Sequence, residues 1–131
     1  MISLENLVQS FLEGYGKALS EGDLPGIANC WEVPALVLSD QGARAVIEAG
    51  EVEQFFAGAV EWYRAQGLVA TKSGSVEIKR LSERLVSVDV RWSVLDTTGA
   101  ERPSENSHYI LSIADDGQLR IRVAIALAPA Q

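Results

Sequence analysis

Val86-Ser87-Val88-Asp89-Val90-Arg91-Trp92-Ser93-Val94 alternates apolar and polar residues without a break. A period of two puts alternate side chains on opposite faces of a β-strand, so this stretch buries one face and wets the other. Upstream, Val76 and Ile78 alternate with Glu77 and Lys79, and Leu81-Ser82-Glu83-Arg84-Leu85 is a polar connection of hairpin length. Downstream, Asp96-Thr97-Thr98-Gly99 is rich in residues that bond their own backbone or accept positive φ, and Pro103 marks the edge of the next strand, Ser104 to Ala114. Asp115-Asp116-Gly117 turns the chain into Gln118 to Ala128, which alternates at first and is apolar on both faces from Val123 onward. Val69 to Ala128 is thus predicted to form four consecutive strands of one large antiparallel sheet.

The first half carries a different period. Leu4, Leu7, Val8, Phe11, Leu12, Tyr15, Ala18 and Leu19 recur at helical spacing, with Ser3 placed to cap the start and Gly22 just past the end. Asp23 caps a second, shorter helix with Pro25 in its first turn; Ile27 and Trp31 supply its apolar contacts and Pro34 ends it. Ala35 to Ser39 and Ala43 to Ile47 flank Asp40-Gln41-Gly42 and read as a small hairpin. A third helix shows Val52, Phe55, Phe56, Ala59 and Tyr63 on one face and closes at Gly67. The order is helix, short helix, small hairpin, long helix and four-stranded meander. With 131 residues and no repeat or linker, one domain spanning 1–131 is expected.

The formal net charge is -7, and all of it precedes Ala65, since the eight acids that follow are matched by eight bases. That balance repels phosphate backbones and anionic lipid, so neither nucleic acid nor a membrane is an expected partner. Cys30 is the single cysteine and His108 the single histidine, which leaves no ligand set for zinc, and no glycine-rich phosphate loop joins a strand to a helix. No metal and no cofactor are expected. Glu5, Asn6, Gln9 and Glu13 interrupt the N-terminal apolar pattern, so it does not read as a signal peptide, and a reducing cytoplasm is the default location.

Phe11 to Asp23, followed by Ile27 and Trp31, resembles the opening of the nuclear-transport-factor-like (SnoaL-like) superfamily. Gly50 to Phe56 is similar to that group's helix entry, and His108 to Ile121 to its final hairpin. The resemblance covers nearly the whole chain. It implies an α+β fold in which a cone-shaped, strongly curved antiparallel sheet wraps the N-terminal helices, as in a cystatin-like α+β barrel, with a pocket at the open end. It also implies a homodimer through the outer face of the sheet. Among the group's enzymes, a ketosteroid isomerase uses a tyrosine and a protonated aspartic acid to stabilise an enolate oxygen while another aspartate moves the proton. Tyr15 falls at the tyrosine, but Ser39 falls where the base stands, with Asp40 one step later, and Ser107 falls where the oxyanion acid stands. A serine hydroxyl without an activating partner does not shuttle protons near neutral pH.

Two functions stay open on these residues. One is a cofactor-free cyclase, dehydratase, isomerase or hydrolase acting on a small apolar substrate, with Tyr15 as hydrogen-bond donor and Asp40 as acid/base. The other is a non-catalytic dimeric module that binds a small-molecule ligand or fills its cavity with side chains. In either case Trp31, Ser39, Phe56, Trp92, Ser107, Tyr109 and Arg122 are the expected ligand contacts. Each has a structural reading beside it: Tyr15 as a core aromatic, Asp40 as a turn residue, Trp31, Trp62 and Trp92 as core or pocket wall. Arg122 either shares an inward face with Ala124 and Ala126 or points to solvent with Arg120. His108, next to Ser107 on a strand, is expected on the opposite face.

Overall fold

Helix α1 runs Leu4–Glu21 in the computed structural model, which describes residues 3–127, the side chains of Tyr63, Leu68, Val69, Ser75 and residues 102–105 excepted. The Ser3 hydroxyl accepts the Asn6 N–H and starts the helix. Gly22, at φ 67°, ends it, and the next N–H, of Asp23, returns to the Ala18 carbonyl. A Cβ at Gly22 would lie 2.8 Å from an Arg64 guanidinium nitrogen, which a flexible side chain can yield, so it is the left-handed backbone that requires glycine. Val8, Leu12 and Tyr15 are buried from this helix, as its 3.6-residue period predicts.

The short helix α2, Leu24–Asn29, is capped by Asp23, whose carboxylate accepts the Gly26 N–H. It stops earlier than the sequence suggests. Trp31, expected on the helix, instead opens strand β1, Trp31–Ser39, and Pro34 lies inside that strand after a cis peptide bond. The reason is long-range pairing: the Ile121 N–H donates to the Cys30 carbonyl at 2.8 Å, and Trp31 pairs with Ile121, which draws the chain into the sheet. Next come β2 (Gly42–Val46), α3 (Ala49–Ala65), β3 (Leu68–Arg80), β4 (Leu85–Asp96), β5 (Glu101–Ile113) and β6 (Leu119–Leu127). The expected Tyr63 contact and the strand end at Ala128 lie outside the described residues.

The sheet has six strands in the order β2-β1-β6-β5-β4-β3. The antiparallel meander β3 to β6 and the β1–β2 hairpin are as expected, and what the sequence did not announce is that β1 pairs parallel to β6 and carries β2 into the same sheet. The sheet is therefore mixed, and with β2 and β3 at its edges it does not close into a barrel. Its register shifts in several places, two of which bear on the concave face. In β3, Ser73 faces Trp92 while Val76 faces Val90, so Gly74 and Ser75 together oppose Arg91; a Cβ on Gly74 would stand 3.1 Å from the Arg91 carbonyl. In β6, Leu111 faces Ile121 while Ile110 faces Val123, leaving Arg122 as the extra residue.

That extra residue changes the phase of β6. Leu119 and Ile121 are buried with Leu111 on the concave side, and beyond the bulge the inward set becomes Ala124 opposite Tyr109 and Ala126 opposite Ser107. The concave face thus collects Val86, Val88, Val90, Trp92, Tyr109, Leu111 and Ile121 against α1 and α2. By alternation Leu36, Leu38, Ile110, Val123 and Ile125 fall on the convex side, although Ile125 also borders the cavity beneath β6. Among the described residues no helix is long and apolar enough to cross a membrane.

Candidate functional site

Between α1, α3 and the concave face of the sheet lies a cavity of about 260 Å³. Substituting small side chains for large ones opens it: Ala124 and Ala126 of β6 and Ala59 of α3 line space that larger residues would fill. Aromatic rings make most of the rest. Tyr15 is 2% exposed and sits at the centre of an edge-to-face cluster, its ring centroid 6.4 Å from Phe56, 6.1 Å from Trp92 and 6.2 Å from Tyr109.

Two indole–phenol pairs fix these rings. The Trp31 Nε1–H donates to the Tyr15 hydroxyl at 3.3 Å, and the Trp92 Nε1–H donates to the Tyr109 hydroxyl at 3.0 Å. Each pair satisfies a donor that would otherwise be desolvated, and each holds a phenol oxygen at the cavity wall. Thr71 reaches the same wall because its N–H donates to Ser20 Oγ at 2.8 Å while that hydroxyl donates to the Gly16 carbonyl. Gly16 packs on the same wall, where a Cβ would make ordinary contact with the Thr71 carbonyl and the Trp92 ring at 3.5 Å.

Ser107 is different from the other polar groups. It is 5% exposed, its hydroxyl bonds no other described residue, and among the described residues no sealed side-chain oxygen lacks a partner, so the Ser107 oxygen is accessible; Ser107 lines this cavity and also borders a crevice with Glu77, Asp89, Arg91 and Asn106. Among the described residues lining the cavity itself there is no Asp, Glu, Lys, Arg or His. A second crevice of about 20 Å³ shares Trp31, Val37, Phe55 and Phe56 with the cavity and is otherwise lined by Arg44, Val46, Glu51 and Val52.

Of the residues expected at a site, Tyr15, Trp31, Phe56, Trp92, Ser107 and Tyr109 line this one cavity. Asp40 does not join them. It is an exposed residue of the β1–β2 turn, and an extended strand separates it from the lining residue Val37. Ser39 serves the same turn, its hydroxyl accepting the Gln41 N–H at 3.2 Å. Arg122 occupies the bulge of β6 and is absent from the described lining, so it does not share the inward face of Ala124 and Ala126. Arg120 lies outward near Glu32 and Asp116. His108 is on the convex side, as strand alternation requires, with Nδ1 2.6 Å from the Asp89 carboxylate of the neighbouring strand. Trp62 is 59% exposed and outside the cavity.

Sequence reasoning missed Thr71 and Val37 as wall residues. Val37 had a signal in the alternation Ala35, Val37, Ser39; Thr71 had none, since its place depends on Ser20 of another element. Cys30 lies behind the wall, its thiol pushed up to about 11 by burial and its Sγ 3.5 Å from the Gly26 carbonyl.

Residues 5–129 match the family model described as NTF2-like protein (DUF6841). No curated protein matches the sequence. Among solved structures, a cystatin-like protein of Nostoc punctiforme is similar over 99% of this chain and 96% of its own, with 10% identity and a TM-score of 0.78. Aln2 of a Streptomyces species is similar over 98% and 94%, at 17% identity and TM-score 0.76. An NTF-2-like protein of Shewanella oneidensis is similar over 95% and 99%, at 17% identity and TM-score 0.71. At such identities the likeness carries the fold alone.

Proposed function

Because the chain belongs to the NTF2-like family (DUF6841), we propose that its cavity is a binding site for a small, uncharged, mainly apolar molecule bearing one or two oxygen atoms. The observation that carries this reading is the unpartnered Ser107 hydroxyl among aromatic rings. The Ser107 oxygen is not sealed, so it is free to bond a ligand oxygen in exchange for water, and the surrounding rings supply the apolar remainder of the site. A charged ligand would meet no countercharge among the described lining residues, and its desolvation would go uncompensated. The volume of about 260 Å³ is slightly below the usual range of about 300–1,000 Å³ for drug-sized ligands, which fits a molecule of one or two rings.

The reading is one of binding rather than acid/base catalysis. Proton transfer needs a base within hydrogen-bond reach of the substrate, and the described wall offers neither a carboxylate nor an imidazole. Titration with 2-naphthol, followed by its fluorescence, tests the proposal against 2-naphthoate, which keeps the ring and adds a charge. Saturable binding of the naphthol with much weaker binding of the naphthoate is expected; equal binding, or none of either, overturns the reading.

The second copy of the chain is the partner proposed for the convex face. Leu36 pairs with Val123 and Val123 with Ile110, while Leu38 pairs with Ile125, so these side chains form one apolar patch opposite the helices. A like sheet is a self-complementary cover for it. Sedimentation at micromolar concentration should give a dimer, and a stable monomer there would remove the partner.

A further inference from the structure

The walls of the cavity are held with unequal strength. The strands are hydrogen-bonded to one another, and α1 is fixed by the fully buried Val8 and Leu12 and by the bonds of Ser20 to Thr71. Helix α3 is not anchored in this way. Among its described residues Val52 alone is buried, and Phe55 is 50% exposed although it lines the cavity. Its C-terminal part is tied down where Val60 and Arg64 meet Gly22 and the Arg64 guanidinium donates to the Glu21 carbonyl at 3.2 Å. Its N-terminal part is held by Val52 and by the Glu51 carboxylate, which accepts the exposed Ile47 N–H.

Between these ends lies Gly58. A Cβ there would meet nothing within 4 Å, so no close contact calls for glycine at that position. What glycine does there is weaken the helix, because it gives up more backbone freedom than any other residue. The two rings just before it, Phe55 and Phe56, are in edge contact with centroids 5.1 Å apart, and Phe56 also closes against Trp31 at 6.2 Å. A weak point in the helix with the fewest buried side chains among the described residues of the wall, tied at its two ends and placed beside the rings that shut the cavity, is the arrangement of a door.

We propose that the Phe55–Phe56 part of α3, hinged at Gly58, is the gate through which the ligand enters and leaves. The proposal rests on the cavity being the binding site, but its first test does not. Hydrogen exchange on the ligand-free protein should show amides 53–60 exchanging at least about tenfold faster than those of Leu12 to Lys17, since local opening follows local stability. Equal protection in the two helices overturns the gate, whether or not any ligand binds. The second test uses Gly58→Ala, for which there is room. Stiffening the hinge should slow both association and dissociation of 2-naphthol by roughly fivefold, the factor matching the helical preference for alanine over glycine, with little change in Kd. A Gly58→Ala protein with unchanged rates overturns the hinge even if the naphthol binds well. If the naphthol does not bind, the binding reading fails while the exchange result still decides the gate.

Discussion

Ser107→Ala separates a group kept for a ligand from one kept for the fold. The Ser107 hydroxyl bonds no described residue, so its removal takes no bond from the protein. The change in stability should stay within about 0.5 kcal/mol, and its sign should favour alanine if the hydroxyl is poorly hydrated in the empty cavity. Affinity behaves differently, because the ligand loses a partner: a loss of about 0.5–1.5 kcal/mol, or roughly two- to tenfold in Kd, follows from one neutral hydrogen bond. Urea unfolding followed by far-ultraviolet circular dichroism measures the first quantity and 2-naphthol titration the second. A Ser107→Ala protein weakened by more than about 1 kcal/mol would refute the reasoning, since the hydroxyl would then have a structural partner. Unchanged naphthol binding would refute the functional half alone.

Tyr109→Phe should give the opposite pattern, because it strips the acceptor from the buried Trp92 N–H at 3.0 Å. A loss of about 1–2 kcal/mol and a fall in Tm of about 4–8 °C are expected; a double-mutant cycle with Trp92→Phe showing coupling below about 0.3 kcal/mol would argue against the bond. Asp40→Asn should change neither naphthol binding nor stability by more than about 0.5 kcal/mol, and a tenfold loss of binding would return the turn to the site. Cys30, with its thiol at about 11 against an ordinary 9.0, should be alkylated at pH 8 about a hundredfold more slowly than a free cysteine, and rapidly once urea unfolds the chain. The raised value also sets a sign: the thiol's contribution to stability is fully present below pH 9 and is lost as pH rises through about 11. Labelling at the free-cysteine rate in the native protein would show that the thiol is not buried.

What could be read from the sequence was whatever a local period encodes. Val86 to Val94 alternates over its whole length and forms the inward row of β4; Leu4 to Leu19 keeps a helical period between two capping signals and forms α1. The turns at Asp96 to Gly99 and Asp115 to Gly117 fall where glycine and aspartate mark them. The failures all involve partners far along the chain. Trp31 has the spacing of a helical residue after Ile27, and only the pairing with Ile121 makes it a strand residue. For the same reason the β1–β2 hairpin read as an isolated unit, since nothing near Ala35 announces that β6 will lie beside it.

Arg122 shows why the site was harder to read than the fold. A strict period of two would place Arg122, Ala124 and Ala126 on one face, and so forced a choice between an arginine in the cavity and alanines outside it. The bulge removes that choice by letting Ile121 and Ala124 face the same way. The cavity is then lined by small and aromatic residues with no charge among those described, while the excess of acid lies elsewhere on the chain. Serine at both positions where the resembling isomerase has acids agrees with that interior. At position 39 the hydroxyl serves a turn, and at position 107 the residue lines the cavity. A described wall with one hydroxyl at the cavity and no carboxylate suits the binding proposed for it, because proton transfer would need a base within hydrogen-bond reach of the bound molecule.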